Sequence, residues 1–171
     1  MSTDFIRQRR SIRQYNNRPV EPDLIHSILE AGMSAPSAGN QRPWDFIVVT
    51  DHELIKRMSL TGPNSLPAKN APVVILITGD TGRERYKDYW PVDCAAATEN
   101  MLLEITRLGL GAVWLGVHPV VDRKEYLRNL FLLPSTVHPF AMISLGYAET
   151  DMKKERESRY DESRVHYNHW E

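Results

Sequence analysis

One cysteine, Cys94, is all that the 171-residue sequence contains. An intrachain disulfide is therefore excluded, and a reducing compartment is expected. Long apolar runs are missing as well, so no membrane span is expected. The opening stretch MSTDFIRQRR lacks the apolar centre of a secretory signal. These absences together predict a cytoplasmic protein. Charge of one sign is also lacking: 21 Lys and Arg nearly balance 22 Asp and Glu, for a formal net charge of −1. Such a chain projects no broad field toward nucleic acid or an anionic membrane.

Chemistry-bearing motifs are equally sparse. No G-x-S-x-G elbow, Walker loop or zinc-ligand spacing occurs. Gly109-Leu110-Gly111 superficially resembles a dinucleotide fingerprint, but that fingerprint follows a strand and opens a helix. Here a helical pattern precedes it and a strand pattern follows, so these glycines read as a helix terminator. The histidines (His26, His52, His118, His138, His166 and His169) form no metal set. His166 and His169 are spaced i, i+3 without a third ligand beside them, and surface positions are expected for all six. Cys94 sits among alanines and reads as a small core residue. Any chemistry here is expected to come from a bound cofactor rather than from a protein nucleophile.

What the chain does have is a dense local cluster of cations. RQRRSIRQY places Arg7, Arg9, Arg10 and Arg13 within seven positions, with the hydroxyl of Ser11 between the last two. Arginine offers planar, permanently charged forks to phosphate, and serine adds a neutral donor. Phosphate binding and a solvated helix end both fit these residues. A second candidate segment is SAPSAGNQRPWDF, whose Ala35, Ser37, Ala38 and Gly39 let backbone approach a flat ligand closely. A helix-ending turn with a core tryptophan behind it is the other reading of that stretch.

Periodicity supplies the frame. VEPDLIHSILEAG predicts a helix from Pro22, with Leu24, Ile25, Ile28 and Leu29 on one face, ended by Pro36 and Gly39. Strands are predicted at 46–50, 73–80, 111–117 and 141–148, and further helices around LIKRMSL, over 92–110 and over 122–133. The stretch 61–72, with three prolines, predicts an exposed loop. After Gly146 the sequence becomes highly charged yet carries Tyr160, Val165, Tyr167 and Trp170, so it reads as an arm that packs on something. Alternating elements in a chain of this length predict one domain with helices layered on a sheet.

In this order, RRSIRQY, APSAGNQRPWDFIVV, APVVILITGD, DCAAATENMLLEITRLGLGAVWLG and ISLGY resemble the nitroreductase family of flavoproteins over nearly the whole chain. The resemblance implies an α+β, three-layer fold with a central mixed β-sheet flanked by helices. It implies a single domain over 1–171, an intertwined homodimer, and an arm at 151–171 that packs on the partner subunit. FMN would bind at the dimer interface. Arg9, Arg10, Ser11 and Arg13 would fall on the segment holding its phosphate, ribityl chain and pyrimidine edge. Pro36, Ser37, Ala38 and Asn40 match the loop that the partner lays along the ring, and Trp114, Leu115 and Gly116 match the stretch on its other side. Asn64 matches a polar contact from the proline-rich loop, and Arg159 an arginine of the arm that reaches the phosphate.

The implied activity is ping-pong hydride transfer from NAD(P)H through FMN to an electron-poor acceptor such as a nitroaromatic or a quinone, with no metal and no side-chain acid or base. Reductive dehalogenation, oxygen-dependent flavin cleavage, or a flavin-binding module without turnover are the alternatives on the same fold. Two departures from the family pattern stand out. Arg42 occupies a position where many members have glutamine, and Glu157 one where some carry lysine.

Overall fold

The run VVILITGD forms a strand, β2 (Val73–Asp80), that is buried on both faces. Its alternation feeds two separate apolar clusters. Val73, Ile75 and Ile77 join one, while Val74 and Leu76 join the other. That explains why the stretch reads as continuously apolar: each face of the pleat meets a helical layer. The description comes from a computed structural model that covers residues 5–149 and 158–170.

Four strands make the sheet, in the order β1-β2-β4-β3: β1 is Trp44–Val49, β3 Gly111–Gly116 and β4 Val137–Gly146. All three ladders are antiparallel. Among the described residues the parallel element of the mixed sheet implied by the resemblance is confined to one bridge, Ser11 to Ala112. The α+β, three-layer architecture is as expected. Helices α2 (Pro22–Met33) and α4 (Trp90–Arg107) cover one face through Ile28, Cys94, Ala97, Met101 and Ile105. Helices α3 (His52–Met58) and α5 (Val121–Phe131) cover the other through Ile55, Met58 and Leu127. A short α1 (Phe5–Gln8) precedes the arginine cluster.

Close packing of α2 on α4 depends on Gly32, where a Cβ would stand 2.8 Å from Met101 Cγ. Polar bonds lock the pair: Ser27 Oγ donates to Glu104 Oε1 at 2.6 Å, and Asn100 Nδ2 to the Ala31 carbonyl at 3.1 Å. Cys94 is fully buried, as expected of a core residue, and burial pushes its thiol well above the usual range.

Two sequence expectations fail here. The stretch 61–72 is not an exposed loop: Pro63–Asn70 coils as 3-10 turns, with Ser65 and Ala68 buried. Its prolines preset the φ these turns need, and Ala68 is small enough to enter the core. Nor are all histidines superficial. His118 and His138 are half-buried around Trp90, His118 edge-on at 4.9 Å and His138 stacked at 5.6 Å. No helix among the described residues is long and apolar enough to cross a membrane.

The pair has a consequence for pH. Desolvation first, then Lys124 beside His118 and Arg128 beside His138, hold both imidazoles below the ordinary histidine range. The unfolded chain takes up these protons near pH ~6.5 while the folded chain resists them, so stability falls as pH drops through that value. We expect a lower melting temperature at about pH 5.5 than at about pH 7.5, a window above the carboxylates. His118→Phe should narrow the difference, because it keeps the ring contacts and removes the buried Nδ1 that has no partner. Equal melting temperatures at the two pH values would refute the assignment.

Candidate functional site

Beyond α1 the chain runs extended along the outer side of β3. Ile12 N–H donates to the Ala112 carbonyl at 2.8 Å. The backbone of the arginine cluster is then pinned from behind by Tyr15, whose hydroxyl lies 2.7 Å from the Ile12 carbonyl, 2.9 Å from the Ser144 carbonyl and 3.0 Å from Ser144 Oγ. One phenolic proton serves one carbonyl at a time, while Ser144 Oγ can donate back. Burial drives the phenol's pKa far up, so it remains a donor throughout the physiological range.

The cluster's side chains differ in state. Arg9 Nε stands 3.3 Å from Glu99 Oε1 on α4. Ser11 and Arg13 are exposed, and Arg13 Nη1 lies 3.5 Å from the Ser11 carbonyl. Arg10 is half-buried, and its Nε is shielded from solvent without any acceptor. A desolvated donor left unmet costs about 1–3 kcal/mol. Such groups are rare enough in native proteins to require an explanation, and an anionic ligand is one.

The neighbouring strand edge adds backbone groups. Because Ala112 turns its carbonyl outward to Ile12, the alternation of an antiparallel ladder turns Trp114 and Gly116 outward as well. β3 is terminal in the sheet, and among the described residues no further strand meets them. The Gly116 carbonyl instead accepts from Arg123 Nη1 at 2.8 Å. Leu115 sends its side chain into the core, and Trp114 packs edge-on against Phe140 at 5.7 Å. This stretch therefore offers an adjoining ligand mainly main-chain donors and acceptors. Asn64 is exposed, two residues beyond Gly62, over which the Arg123 guanidinium passes.

Loop 36–42 is held by a buried carboxylate. Asp93, in the first turn of α4, accepts from Ala38 N–H at 2.9 Å and from Gln41 Nε2 at 2.7 Å. Gln41 Oε1 in turn accepts from the N–H groups of Arg85 and Tyr86 at 3.0 and 3.1 Å. Within this loop Gly39, Asn40 and Arg42 all have left-handed φ, at 51°, 56° and 45°. For the two non-glycine residues that conformation is costly and persists only where surroundings impose it. Ser37 Oγ contributes by accepting from Arg42 N–H at 3.0 Å. Pro36 and Asn40 are exposed, Ser37 and Ala38 half-exposed. Arg42 is exposed and lines an open cleft with Met33, Trp44, Asp45 and Arg83.

The structure thus brings Arg9, Arg10, Ser11 and Arg13 to the edge that carries Trp114, Leu115 and Gly116. It does not bring Pro36, Ser37, Ala38 and Asn40 there. Their loop leads into β1, at the opposite edge of the sheet. Glu99 and Asp93, which touch the two groups, lie six positions apart on α4 and so face about 120° away from each other. Arg159 is exposed and makes no hydrogen bond or ion pair among the described residues. Part of the expected arm, Glu157 included, lies outside them. No group of three metal-ligating side chains occurs among the described residues.

Comparison with known proteins follows the same lines. A sequence model of the nitroreductase family matches residues 6–61 and 60–147. A protein of Methanothermobacter thermautotrophicus, provisionally named NADH dehydrogenase/NAD(P)H nitroreductase, is 43% identical over 168 residues, covering 98% of this chain and 86% of its own. The crystal structure of a provisionally named NADH oxidase from Clostridium acetobutylicum superposes with a TM-score of 0.94 at 42% identity, over 98% of this chain and 100% of that one. An FMN-dependent nitroreductase from Clostridium difficile gives 0.91 at 32% identity, over 99% and 100%.

Proposed function

Because the chain belongs to the nitroreductase family, we propose that it passes reducing equivalents from NAD(P)H to an electron-poor acceptor such as a nitroaromatic or a quinone. It is an FMN-dependent oxidoreductase. Bound FMN supplies the hydride chemistry. The chain's own residues bind, orient and charge-balance the cofactor.

The observation that carries the residue assignment is the buried, unmet Nε of Arg10 beside an open strand edge. A phosphate oxygen is the acceptor this donor lacks, and Ser11 and Arg9 stand in the same segment to share it. Trp114 and Gly116, on either side of the inward-facing Leu115, meet the ring with main-chain groups, and Asn64 offers an amide from the neighbouring turns. Arg13, exposed and in contact with the Ser11 carbonyl at 3.5 Å, is assigned to the pyrimidine edge. There its charge balances the negative charge the ring gains on reduction. No side-chain acid is required for hydride transfer.

Loop 36–40 completes the site from a second copy of the chain, and Arg159 of the arm adds a contact to the phosphate. The placement of that loop at the far sheet edge supports this reading, since one protomer alone cannot close the site. So does the exposure of Met33, Tyr86, Tyr89 and Val92 around the loop's anchor, and of Tyr167 and Trp170 on the arm. A cytoplasmic homodimer is the assembly we assign.

Purified protein is expected to be yellow and to bleach under anaerobic NAD(P)H, then recover colour on addition of a nitroaromatic or quinone. Light scattering should give twice the chain mass for the FMN-loaded form. Colourless protein that FMN cannot reconstitute would overturn the cofactor reading. Colour that persists through NAD(P)H addition would leave a binding module without turnover, and a monomer holding one FMN would remove the second copy from the site.

A further inference from the structure

We propose that Arg123 is a positioning residue of the flavin site whose charge favours the reduced form of the bound ring. The inference rests on the FMN reading above. Arg123 lies in the first turns of α5, within the helix predicted over 122–133 but outside every segment read as a candidate site. Three observations place it at the site. Its Nη1 donates to the Gly116 carbonyl at 2.8 Å, closing the last outward acceptor of β3. Its guanidinium also lies across Gly62, where a Cβ would stand 2.9 Å from Nε and 3.3 Å from Cζ. Thus one side chain ties the strand end to the turns that carry Asn64.

The third observation is charge. The ion pairs among the described residues engage Arg9, Arg18, Lys56, Arg83, Arg107, Arg128 and Arg164, each with a carboxylate, and Arg123 is not one of them. Its hydrogen-bonded partner among the described residues, a carbonyl, satisfies a donor without cancelling a formal charge. Along the chain it is flanked by Asp122 and Lys124, whose charges offset each other, and Glu125 already faces Arg128 at 3.6 Å. Within these first turns of α5 the formal charges therefore sum to a positive value. Hydride delivery brings two electrons and one proton, so a neutral ring acquires one negative charge, and a fixed cation beside it favours that state. Arginine suits the position better than lysine, because its planar fork can hold the carbonyl with one nitrogen while the remaining face stays over Gly62.

The test measures the two-electron midpoint potential of bound FMN, and the affinity for oxidised FMN, in the wild-type holoenzyme and in Arg123→Gln, Arg123→Lys and Gly62→Ala. Arg123→Gln is expected to weaken binding of reduced FMN about tenfold more than that of oxidised FMN, lowering the potential by about 30 mV. Arg123→Lys should hold the potential near wild type while lowering FMN retention. Gly62 has extended backbone, with φ 176°, so alanine there leaves the main chain unstrained and displaces only the guanidinium. It should lower the potential in the same direction, by a smaller shift, and it keeps the proposal open to refutation if Arg123→Gln does not fold. An equal loss of affinity for both redox forms, with the potential unmoved in Gln and Ala variants alike, would reduce Arg123 to a structural clasp and overturn the proposal. Wild-type protein that binds no FMN would instead refute the reading on which it rests.

Discussion

Arg10→Ala should bind FMN roughly 10–150-fold more weakly than wild type, the span set by one charge-assisted hydrogen bond of about 1.5–3 kcal/mol. Two further outcomes separate a phosphate contact from general damage. First, affinity for riboflavin, which lacks the phosphate, should barely change. Second, the cofactor-free variant should melt at the same temperature as wild type or higher, because the substitution removes a desolvated donor that has no acceptor. Arg57→Ala, an exposed arginine at the end of α3, is the control and should leave all three quantities alone. Titration by quenching of flavin fluorescence measures both affinities. If FMN and riboflavin lose affinity in parallel, the guanidinium is not on the phosphate, and Arg9, which already faces Glu99 at 3.3 Å, becomes the better assignment.

How far the sequence discloses such contacts depends on their range. Strand β2 was legible from VVILITGD because burial on both faces leaves a continuous apolar run. Helix α2 was legible from Pro22 at its start and from the spacing of Leu24, Ile25, Ile28 and Leu29. The arginine cluster stood out because four cations in seven positions are visible without any fold. By contrast, Gln41 and Asp93 meet across 52 positions, and nothing in QRPW or VDCA announces the pair. Arg123 finds Gly116 only because α5 turns back on the strand before it. The proline-rich stretch misled for a different reason. Prolines mark a break in regular hydrogen bonding but do not decide exposure, and a buried Ala68 carries too little hydrophobic signal to correct the impression. His118 and His138 were misplaced likewise, since burial by an aromatic neighbour such as Trp90 leaves no periodic trace.

Asp93→Ala is expected to be the most damaging single change at the site, costing about 2–4 kcal/mol and lowering the melting temperature by about 4–15 °C for a chain of this size. The carboxylate is 3% exposed and holds Ala38 N–H and Gln41 Nε2, both of which lose their acceptor. Its position in the first turn of the 18-residue α4 lets the helix dipole offset part of the cost of burying it. The conservative change fares little better. An asparagine in its place would keep an oxygen for Ala38, but the amide nitrogen would then face Gln41 Nε2, donor against donor. Gln41 cannot rotate its amide to relieve this, because Oε1 is fixed by the N–H groups of Arg85 and Tyr86 at 3.0 and 3.1 Å. Asp93→Asn should therefore fall close to Asp93→Ala rather than midway to wild type. Released from its anchor, the loop has no reason to keep Asn40 and Arg42 at positive φ. Pro36, Ser37, Ala38 and Asn40 then lose the geometry with which a second copy would meet the ring. FMN retention and dimer mass should fall together, even at temperatures well below the melting transition. Calorimetry with light scattering of the Asp93→Asn variant decides the matter. A melting temperature within about 1 °C of wild type, with FMN still bound to a dimer, would mean that Asp93 neither anchors the loop nor supports the site.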